Sequence, residues 1–441
     1  MNYHCSFFFV KIEMKEGADM DIMALLKGIE HCSCGKSHHC DVEYVYIDNG
    51  AVMHLKELVE DYHHIVVVAD QNTYAVAGKD VESLLQHKSM KTLVYQSGDE
   101  FLVPNEDALD ALETLCQQNN SDLIIGIGSG VINDICKYVS FKLHLPYFIV
   151  ATAPSMDGYA SDGAALILED MKITLSSHVP TAIIGDVNYL KTAPIEMIQS
   201  GYGDIIGKYS ALNDWKLSHV VNGEYLCEYV YHLTFDMVKK TEEITDEVLS
   251  RSDKSIKVLM EALVVVGIAM SYMTNSRPAS GSEHHLSHFF EIVGLLNQEP
   301  YFNHGVDVVY STVITQMLRE EILKLDEFYQ SSIYDQNEYE SHIRRVYTKA
   351  AEGIIELQKN AGWYNRDYIS AYRDKYHEIR EVLKEVPSSN YFIELLNKVD
   401  LPMNKFYELY GKDKIKEAVF IGKDLKVRYT VLWLYYTLFY K

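Results

Sequence analysis

Three polar clusters in the second half of the chain carry side chains that could bind a metal ion. The clusters are Gly201-Tyr-Gly-Asp204, Ser276-Arg-Pro-Ala-Ser-Gly-Ser-Glu-His-His-Leu-Ser-His288 and Asn303-His304-Gly305. On a helix, His284 and His288 lie four residues apart on one face, while His285 points about 100° away. Two imidazoles and a carboxylate with open coordination positions suit Zn²⁺ or another borderline divalent cation in a catalytic role. Because the chain has 18 histidines, a chance pair at this spacing is the open alternative.

The segment SDLIIGIGSGVINDICKY, residues 121–138, is a candidate phosphate-binding turn. A buried strand at Leu123–Ile125 leads into the run GIGSG, and a helix begins near Val131. Glycines let the backbone approach a ligand closely, and the amides at a helix start attract a phosphate. The spacing differs from G-x-G-x-x-G, so a purely structural turn is the alternative. Asp70, at the end of an earlier strand, could bind a pair of ribose hydroxyls.

A second loop, residues 151–161 (ATAPSMDGYAS), follows another buried strand. Small hydroxyl residues, a proline and the pair Asp157-Gly158 predict a rigid polar loop at the edge of the sheet. We favour a ligand-binding loop over a plain surface turn, because this loop and the glycine turn follow strands of the same sheet.

The stretch His31-Cys-Ser-Cys-Gly-Lys-Ser-His-His-Cys40 is a candidate for a second metal site. A structural zinc ion could be bound by Cys32, Cys34, Cys40 and either His38 or His39. The C-x-C spacing is not the C-x₂-C of common zinc sites, and no second pair follows. We therefore expect a loop before a strand at residues 42–47. One metal ion per chain would support the loop, and two would support a second site.

These side chains need regular elements to position them, and the first half of the chain predicts a doubly wound α/β fold. Short apolar runs alternate with helical segments, and the runs include Ile65–Val68, Thr92–Tyr95, Leu123–Ile125 and Phe148–Val150. Such runs are typical of a parallel sheet that helices cover on both faces. Ligands are then expected at the carboxyl ends of the strands.

After about Pro194 the chain reads as successive helices. The apolar segment 255–273 is predicted to be a buried helix, and residues 338–360 and 364–384 are predicted to be long amphipathic helices. We therefore predict an α/β domain at residues 1–193 and an all-helical domain at residues 194–441. The cleft between two domains is the usual place for a ligand.

Composition excludes several classes of function. The chain has 40 Lys plus Arg and 63 Asp plus Glu, a formal net charge of −23, which disfavours binding to nucleic acid or an anionic membrane. The longest apolar runs, residues 262–270 and 430–440, are shorter than the roughly 20 residues that span a bilayer. The amino terminus lacks the features of a secretory signal. An odd number of cysteines, seven, argues against a disulfide framework, so we expect a cytoplasmic protein.

Five motifs give the chain a resemblance to the sn-glycerol-1-phosphate dehydrogenases, in their bacterial branch. That family belongs to the superfamily of iron-type alcohol dehydrogenases, glycerol dehydrogenase and 3-dehydroquinate synthase. In chain order, the motifs are residues 126–138, 154–161, 201–204, 276–288 and His304-Gly305. The resemblance covers roughly residues 50–310, and the string S-R-P-A-S-G-S-E-H is its most specific element. It implies a Rossmann-like NAD(P)-binding domain followed by a helical metal- and substrate-binding domain, with the active site between them.

The resemblance also implies roles for individual residues. Asp204, His284 and His304 match metal ligands, whereas Asp157 and His288 match residues that contact substrate. The expected catalytic residues are thus Asp157, Asp204 and His288, and the pairing of His284 with His288 as two ligands is disfavoured. The residues expected to contact NAD(P) are Asp70, Gly128, Ser129, Gly130, Val131, Ile132, Thr152, Ala153, Pro154, Ser155 and Ser161.

The activity that the resemblance implies is the metal-dependent interconversion of dihydroxyacetone phosphate and sn-glycerol 1-phosphate. The expected cofactors are NAD(P)H and one divalent ion, with Zn²⁺ ahead of Ni²⁺ and Fe²⁺, and relatives are usually homodimers or larger. The alternatives are a polyol dehydrogenase and a cofactor-binding relative without turnover. Lys208, Arg277 and Lys137 are candidates for binding the substrate phosphate, since an acidic protein must concentrate positive charge locally.

Overall fold

A six-stranded parallel sheet forms the centre of the first half of the chain. The computed structural model describes residues 21–96, 98, 102–168, 171–329 and 334–440. The strands are β1 Tyr44–Asp48, β2 His64–Asp70, β3 Ser89–Tyr95, β4 Leu123–Gly128, β5 Tyr147–Ala151, β6 Gly163–Leu168, β7 Met171–Ser176 and β8 Ala182–Asp186. The sheet order is β1-β8-β5-β4-β2-β3, and β6 and β7 form a separate antiparallel hairpin. All neighbours in the large sheet are parallel, which confirms the predicted fold.

The inner strands are apolar because both of their faces are covered. Residues 65–69 and every residue of β4 and β5 are buried. The helices of this half are α1 Ile22–Leu26, α2 Leu55–Leu58, α3 Gln71–Thr73, α4 Lys79–Leu85, α5 Glu106–Asn119, α6 Gly130–Leu143 and α7 Val187–Leu190. Strands covered on both faces read as continuous apolar runs, which explains why the sequence predicted them.

The topology places the predicted nucleotide-binding residues at one edge of the sheet. The chain runs from β2 to β3 on one side and then returns to β4 on the other side of β2. A reversal of this kind opens a crevice at the carboxyl ends of the strands. Asp70 ends β2 and Gly128 ends β4, while the amide of Thr152, directly after β5, donates to the Gly128 carbonyl oxygen at 3.1 Å.

Helices make up almost all of the second half. They are α8 Ile195–Ile206, α9 Lys208–Asn222, α10 Glu228–Glu243, α11 Asp253–Met273, α12 Ser282–Asn297, α13 His304–Ile322, α14 Gln336–Tyr347, α15 Ala351–Ala361, α16 Tyr368–Asp374, α17 Tyr376–Leu383, α18 Ser389–Lys398, α19 Met403–Ile421 and α20 Val431–Phe439. Pro194 stands directly before α8, where the sequence predicts the domain boundary. The division at residues 193 and 194 stays a prediction.

Helix α11 is the one helix among the described residues whose length and composition would let it cross a membrane. Its most apolar window has a mean hydropathy of 1.8, and 78% of that window is buried inside the protein. The expectation from uninterrupted apolar runs missed it because Lys257 and Glu261 divide its sequence. The predicted burial of residues 255–273 is confirmed.

The prediction of two long helices is wrong, because the structure divides each of them into two shorter helices. The segment 338–360 is divided between α14 and α15, and Thr348 between them has a φ of +43°. The segment 364–384 is divided between α16 and α17 at Lys375. Tyr347 at the end of α14 is buried and donates through its hydroxyl to the carbonyl oxygen of Ile421 at 3.2 Å. The break leaves the amphipathic periodicity of the segment intact, so periodicity did not reveal it.

Candidate active site

Asp204, His284 and His304 converge on one point although they come from three helices. Asp204 lies in α8, His284 lies in α12, and His304 is the first residue of α13. One ligand atom of each lies within 4.8 Å of those of the other two. Nε2 of His284 is 3.5 Å from Oδ1 of Asp204, and the two histidine ring centroids are 5.1 Å apart. A carboxylate and two imidazoles are a donor set that fits a borderline divalent ion.

Glycines allow the helices that carry these ligands to touch through their backbones. A Cβ on Gly203 would lie 2.3 Å from the carbonyl oxygen of Gly305, and one on Gly305 would lie 1.9 Å from that of Ser200. The Gly305 amide donates to Oγ of Ser200 at 3.1 Å. Any side chain at these glycines would push α8 and α13 apart. The glycines in both motifs therefore bring Asp204 and His304 together.

A buried lysine joins Asp204 to the loop that follows β5. Nζ of Lys208 is 2.6 Å from Oδ1 of Asp204 and 2.6 Å from Oδ2 of Asp157. The amide of Asp157 donates to Oδ2 of Asp204 at 3.0 Å. Asp204 and Lys208 are fully buried, so their charges are not screened by solvent. The predicted substrate aspartate is thereby held against the predicted metal ligand.

The two carboxylates differ in their pKa. Burial raises the pKa of Asp204, but the Lys208 ammonium and the His284 ring outweigh burial, so this pKa lies well below its usual range. Burial and then the neighbouring charge of Asp204 raise the pKa of Asp157. Burial lowers the pKa of Lys208, and the two carboxylates outweigh it and raise that pKa. Asp204 is therefore the ionised carboxylate that a metal ion requires.

Glu283 is a residue of the site that sequence reasoning missed. Its Oε1 accepts the Nδ1 proton of His284 at 2.7 Å and the amide proton of Gly281 at 2.7 Å. Metal-binding histidines usually donate their second ring nitrogen to such a carboxylate. This bond directs Nε2 of His284 toward Asp204. The pair Glu-His in the string S-G-S-E-H was the signal that could have revealed it.

His288 lies beside the two histidines of the cluster. Its ring centroid is 6.1 Å from that of His284 and 5.4 Å from that of His304. His285 points away and is fully buried, and burial, followed by the charges of Lys426 and Arg428, lowers its pKa well below the usual value. The one-face placement of His284 and His288 follows the helical spacing, and the structure adds His304 next to both.

The glycine turn presents the start of α6 at the edge of the sheet. Helix α6 begins at Gly130, and its N-cap residue Ser129 makes no side-chain capping hydrogen bond. The first amides of α6 therefore keep their donors for an anion, which fits the phosphates of a dinucleotide. A Cβ on Gly128 would lie 2.5 Å from Cβ of Ile132, so this glycine lets the strand and helix pack closely.

Asp70 has a structural contact as well as a place at the crevice. Its Oδ1 accepts the amides of Asn72 at 2.8 Å and Thr73 at 2.9 Å, which caps α3. Both bonds end on the same oxygen. The predicted ribose contact would therefore fall to Oδ2.

The loop at residues 152–161 connects the nucleotide edge to the helical half. The hydroxyl of Ser200 donates to the carbonyl oxygen of Ser155 at 3.1 Å, and a Cβ on Gly201 would lie 1.9 Å from the carbonyl oxygen of Pro154. The hydroxyl of Ser161 donates to the carbonyl oxygen of Gly158 at 3.1 Å. Thr152, Ala153 and Ser155 are buried. Cofactor contacts by these residues stay a prediction.

The three cations proposed for the substrate phosphate have other partners. Lys208 binds the two aspartates, and the buried Lys137 donates to the carbonyl oxygens of Gly158 at 2.9 Å and Gly163 at 3.0 Å. Arg277 donates Nε and Nη2 to Glu224 at 2.8 and 2.7 Å, and it is 2% exposed. These contacts give the Lys137 ammonium and two nitrogens of Arg277 structural partners, and Nη1 of Arg277 is buried without a hydrogen-bond partner.

Comparison of the sequence with known proteins shows the family to which this chain is related. The family model for iron-containing alcohol dehydrogenase matches residues 46–194. A glycerol-1-phosphate dehydrogenase [NAD(P)+] of Halalkalibacterium halodurans is 34% identical over 306 residues, which cover 68% of this chain and 76% of that protein. The protein of the same name from Bacillus licheniformis is 33% identical and covers 77% of this chain and 83% of its own length.

Solved structures share the fold at low sequence identity. An archaeal alcohol dehydrogenase from a Red Sea brine pool has a TM-score of 0.58 and 12% identity, covering 90% of this chain and 97% of its own. The glycerol dehydrogenase of Schizosaccharomyces pombe has a TM-score of 0.52 and 17% identity, covering 81% and 92%. The sequence relatives carry the assignment, and the predicted family is confirmed. The chain belongs to the family of NAD(P)-dependent glycerol-1-phosphate dehydrogenases.

Proposed function

We propose that the protein interconverts dihydroxyacetone phosphate and sn-glycerol 1-phosphate with NAD(P)H as the hydride donor. In the direction of reduction, the ketone carbon C2 gains a hydride and its oxygen gains a proton, while NAD(P)H becomes NAD(P)⁺. The observation that carries the proposal is the convergence of Asp204, His284 and His304 beside the loop of Asp157. The relatives named glycerol-1-phosphate dehydrogenase supply the substrate class.

The residues that would hold the ion are Asp204, His284 and His304. Bound there, a divalent ion would polarise the ketone as a Lewis acid, and NAD(P)H on the sheet edge would supply the hydride. Glu283 fixes the ring of His284 through the bond to Nδ1. Lys208 offsets the charge of the two aspartates, so that Asp204 stays ionised.

Asp157 and His288 are the groups that we assign to the substrate. Asp157 accepts a hydrogen bond from a substrate hydroxyl and so orients the substrate, and the ion pair with Lys208 fixes the Asp157 carboxylate. His288 is the group that delivers a proton to the C2 oxygen, because it stands next to His284 and His304. A site that holds the ketone and the nicotinamide in line lowers the activation barrier, because the two reactants are already positioned for hydride transfer.

The cofactor site that we propose is the crevice at the ends of β2, β4 and β5. The start of α6 binds the pyrophosphate through the amides of Gly130, Val131 and Ile132, and Gly128 and Ser129 form the turn before it. Asp70 binds the ribose hydroxyls, which favours NADH over NADPH because a carboxylate repels a 2′-phosphate. The other proposed contacts are Thr152, Ala153, Pro154, Ser155 and Ser161.

The oxidation of NADH by dihydroxyacetone phosphate tests the proposed function. We expect turnover with the phosphorylated ketone, loss of turnover on chelation, and recovery when a divalent ion is returned. Turnover with glycerol but not with the phosphorylated substrates would instead indicate a polyol dehydrogenase. Cofactor binding without turnover in any metal state would indicate a non-catalytic relative.

The ion to test first is Zn²⁺, followed by Ni²⁺ and Fe²⁺, because imidazole and carboxylate ligands suit all three. Comparison of NADH with NADPH in the same assay tests the role of Asp70.

We also propose that the protein acts in the cytoplasm as a homodimer or larger assembly. The six cysteines among the described residues are free of disulfides, as a reducing compartment requires. Cell fractionation tests the location, and sedimentation tests the assembly.

A further inference from the structure

A second group of ligand-type side chains lies away from the candidate active site. Sγ atoms of Cys32, Cys34 and Cys227 and a ring nitrogen of His38 all lie within 4.8 Å of one another. Cys32, Cys34 and His38 belong to one loop near the start of the described chain. Cys227 is the N-cap residue of α10, in the helical half. His38 is 1% exposed and Cys227 is fully buried.

The distances within this cysteine–histidine cluster fit tetrahedral coordination. The Sγ atoms of Cys32 and Cys227 are 3.8 Å apart, and Nε2 of His38 is 3.3 Å from Cys34 and 3.4 Å from Cys227. A tetrahedral zinc ion with usual bond lengths gives about 3.8 Å between two sulfurs and about 3.6 Å between sulfur and nitrogen. These three distances are within about 0.3 Å of the zinc values, and all four ligand atoms lie within 4.8 Å of one another.

A hydrogen bond outside the cluster settles which nitrogen of His38 faces the sulfurs. Nδ1 lies 2.9 Å from the carbonyl oxygen of Tyr272, in α11. A carbonyl oxygen only accepts hydrogen bonds, so Nδ1 carries the proton and Nε2 presents its lone pair. Metal-binding histidines are commonly oriented in this way. The Tyr225 hydroxyl adds a second outer contact, donating to Sγ of Cys34 at 2.9 Å.

The local backbone is built to present these ligands. Ile29 and His38 exchange two hydrogen bonds of 2.8 Å each, which close the loop between them. The Gly35 amide donates to the Cys32 carbonyl oxygen at 2.9 Å, and the φ of Gly35 is +83°. A Cβ on Gly28 would lie 2.5 Å from the His38 carbonyl oxygen, so the loop closes only over a glycine. The result is a tight turn with Cys32 and Cys34 on its inner side.

We propose that Cys32, Cys34, His38 and Cys227 bind a structural zinc ion that fastens the start of the chain to the helical half. Four protein ligands leave no open position, which is the pattern of structural rather than catalytic zinc. The sequence offered Cys40 as the fourth candidate ligand, whereas the structure supplies Cys227, which lies 189 residues from His38. Cys40, the ligand considered from sequence, is outside this group.

The first test measures the number of metal ions per chain in the purified holoenzyme by inductively coupled plasma mass spectrometry. We expect a second ion, zinc, in addition to the ion of the active site. The variants Cys227→Ser and His38→Ala should each lose one equivalent of zinc. The matched controls Cys40→Ser and His39→Ala should lose none. Equal metal content in Cys227→Ser and the unchanged protein would overturn the proposal.

A second test keeps all four ligands of the cluster, so that its result does not depend on whether the cysteine and histidine variants fold. It uses X-ray absorption at the zinc K-edge. Zinc K-edge absorption of Asp204→Asn, which lacks the active-site carboxylate, should show three sulfur ligands and one nitrogen. A shell of nitrogen and oxygen alone would overturn the proposal. This variant also separates the two sites, because zinc in the cluster would persist even if the proposed activity were absent.

Thiol counting distinguishes a disulfide from a metal site. Under denaturation without a reductant, Cys32 and Cys227 should react as thiols once zinc is chelated. A Cys32–Cys227 disulfide in freshly purified protein, seen as a linked peptide, would overturn the proposal.

Discussion

The two ligand clusters of this protein differ in both composition and in how the chain builds them. The active-site cluster joins one residue from each of three helices and has a carboxylate and two imidazoles. The cysteine–histidine cluster takes three ligands from one turn and the fourth from a helix N-cap. Three ligands leave room for a substrate oxygen, and four do not. The roles that we propose follow this difference in ligand number, with catalysis at the first cluster and structural support at the second.

The outer contacts of the clusters differ in the same direction. The active site is surrounded by charges, with Glu283 on His284 and Lys208 on both aspartates. At the cysteine–histidine cluster the two outer hydrogen-bond partners, the Tyr272 carbonyl and the Tyr225 hydroxyl, are uncharged groups. Hydrogen bonds that involve an ion are roughly twice as strong as neutral ones. Mutations of these outer contacts should therefore lower metal affinity more at the candidate active site than at the cysteine–histidine cluster.

The largest effect is expected from Asp204→Asn, which removes the anionic ligand of the active site. We expect turnover to fall about 10⁴-fold, equivalent to about 5.5 kcal/mol, because Lewis-acid catalysis supplies several kcal/mol. The rate of NADH oxidation with dihydroxyacetone phosphate measures it. The metal of the cysteine–histidine cluster should remain as the internal control. Full turnover would remove Asp204 from the active site.

The next effect is expected from Lys208→Met, which leaves Asp157 and Asp204 buried without their cation. Breaking a buried ion pair costs about 3–5 kcal/mol, so the free energy of unfolding should fall by that amount in urea denaturation. Lys384→Met is the matched control, because Lys384 pairs with Glu381 at 2.6 Å and both side chains are exposed. Such pairs contribute about 0–1 kcal/mol. Equal losses in the two variants would contradict the argument.

A smaller effect is expected from Glu283→Gln, which weakens the bond to Nδ1 of His284. Loss of such a contact lowers metal affinity about 10- to 100-fold. Competition with a chelator measures the affinity of the active site. Glu299→Gln is the control, because Glu299 pairs with Lys414 on the surface and should leave affinity unchanged. An unchanged affinity in Glu283→Gln would show that this bond does not support the ion.

The smallest effect is expected from Tyr225→Phe, which removes the hydroxyl that donates to Cys34. A neutral hydrogen bond contributes about 1 kcal/mol, so zinc affinity of the cysteine–histidine cluster should fall about fivefold. Transfer of zinc to a chromogenic chelator measures it, with Tyr407→Phe at the exposed surface as the control. A loss larger than that in Glu283→Gln would reverse the comparison of the two clusters.

Some features of the molecule were predictable because their cause is local. The strands β2, β4 and β5 are continuous apolar runs since both faces are covered. The candidate active-site residues were visible as motifs, and the resemblance supplied their roles. The glycines of the GYGD and HG motifs have a physical cause in the backbone contacts of α8 and α13, which only the structure revealed.

Other features depended on contacts that leave no pattern in sequence. Cys227 stands alone in the segment LCEYV and meets Cys32 only through the fold. Lys208 was considered for the substrate phosphate, whereas its partners are Asp157 and Asp204. The break between α14 and α15 leaves the amphipathic pattern unchanged. Cys32, Asp157 and Ile421 lie far in the chain from the residues they contact, so no periodicity records these contacts. Asp204 is only four residues from Lys208, but its second contact, with Asp157, joins two distant segments.

The hydrogen bond from the Asp157 amide to Asp204 has a consequence for motion in this enzyme. Asp157 belongs to the loop after β5, and Asp204 belongs to the helices opposite. A hinge that opened the cleft at this point would have to give up the bond, and with it part of the support of a buried carboxylate. Lys208, which pairs with both aspartates, and the Ser200 hydroxyl, which donates to the Ser155 carbonyl oxygen, join the same two regions. Separation of the loop from the helices would therefore also change the charge balance around Asp204.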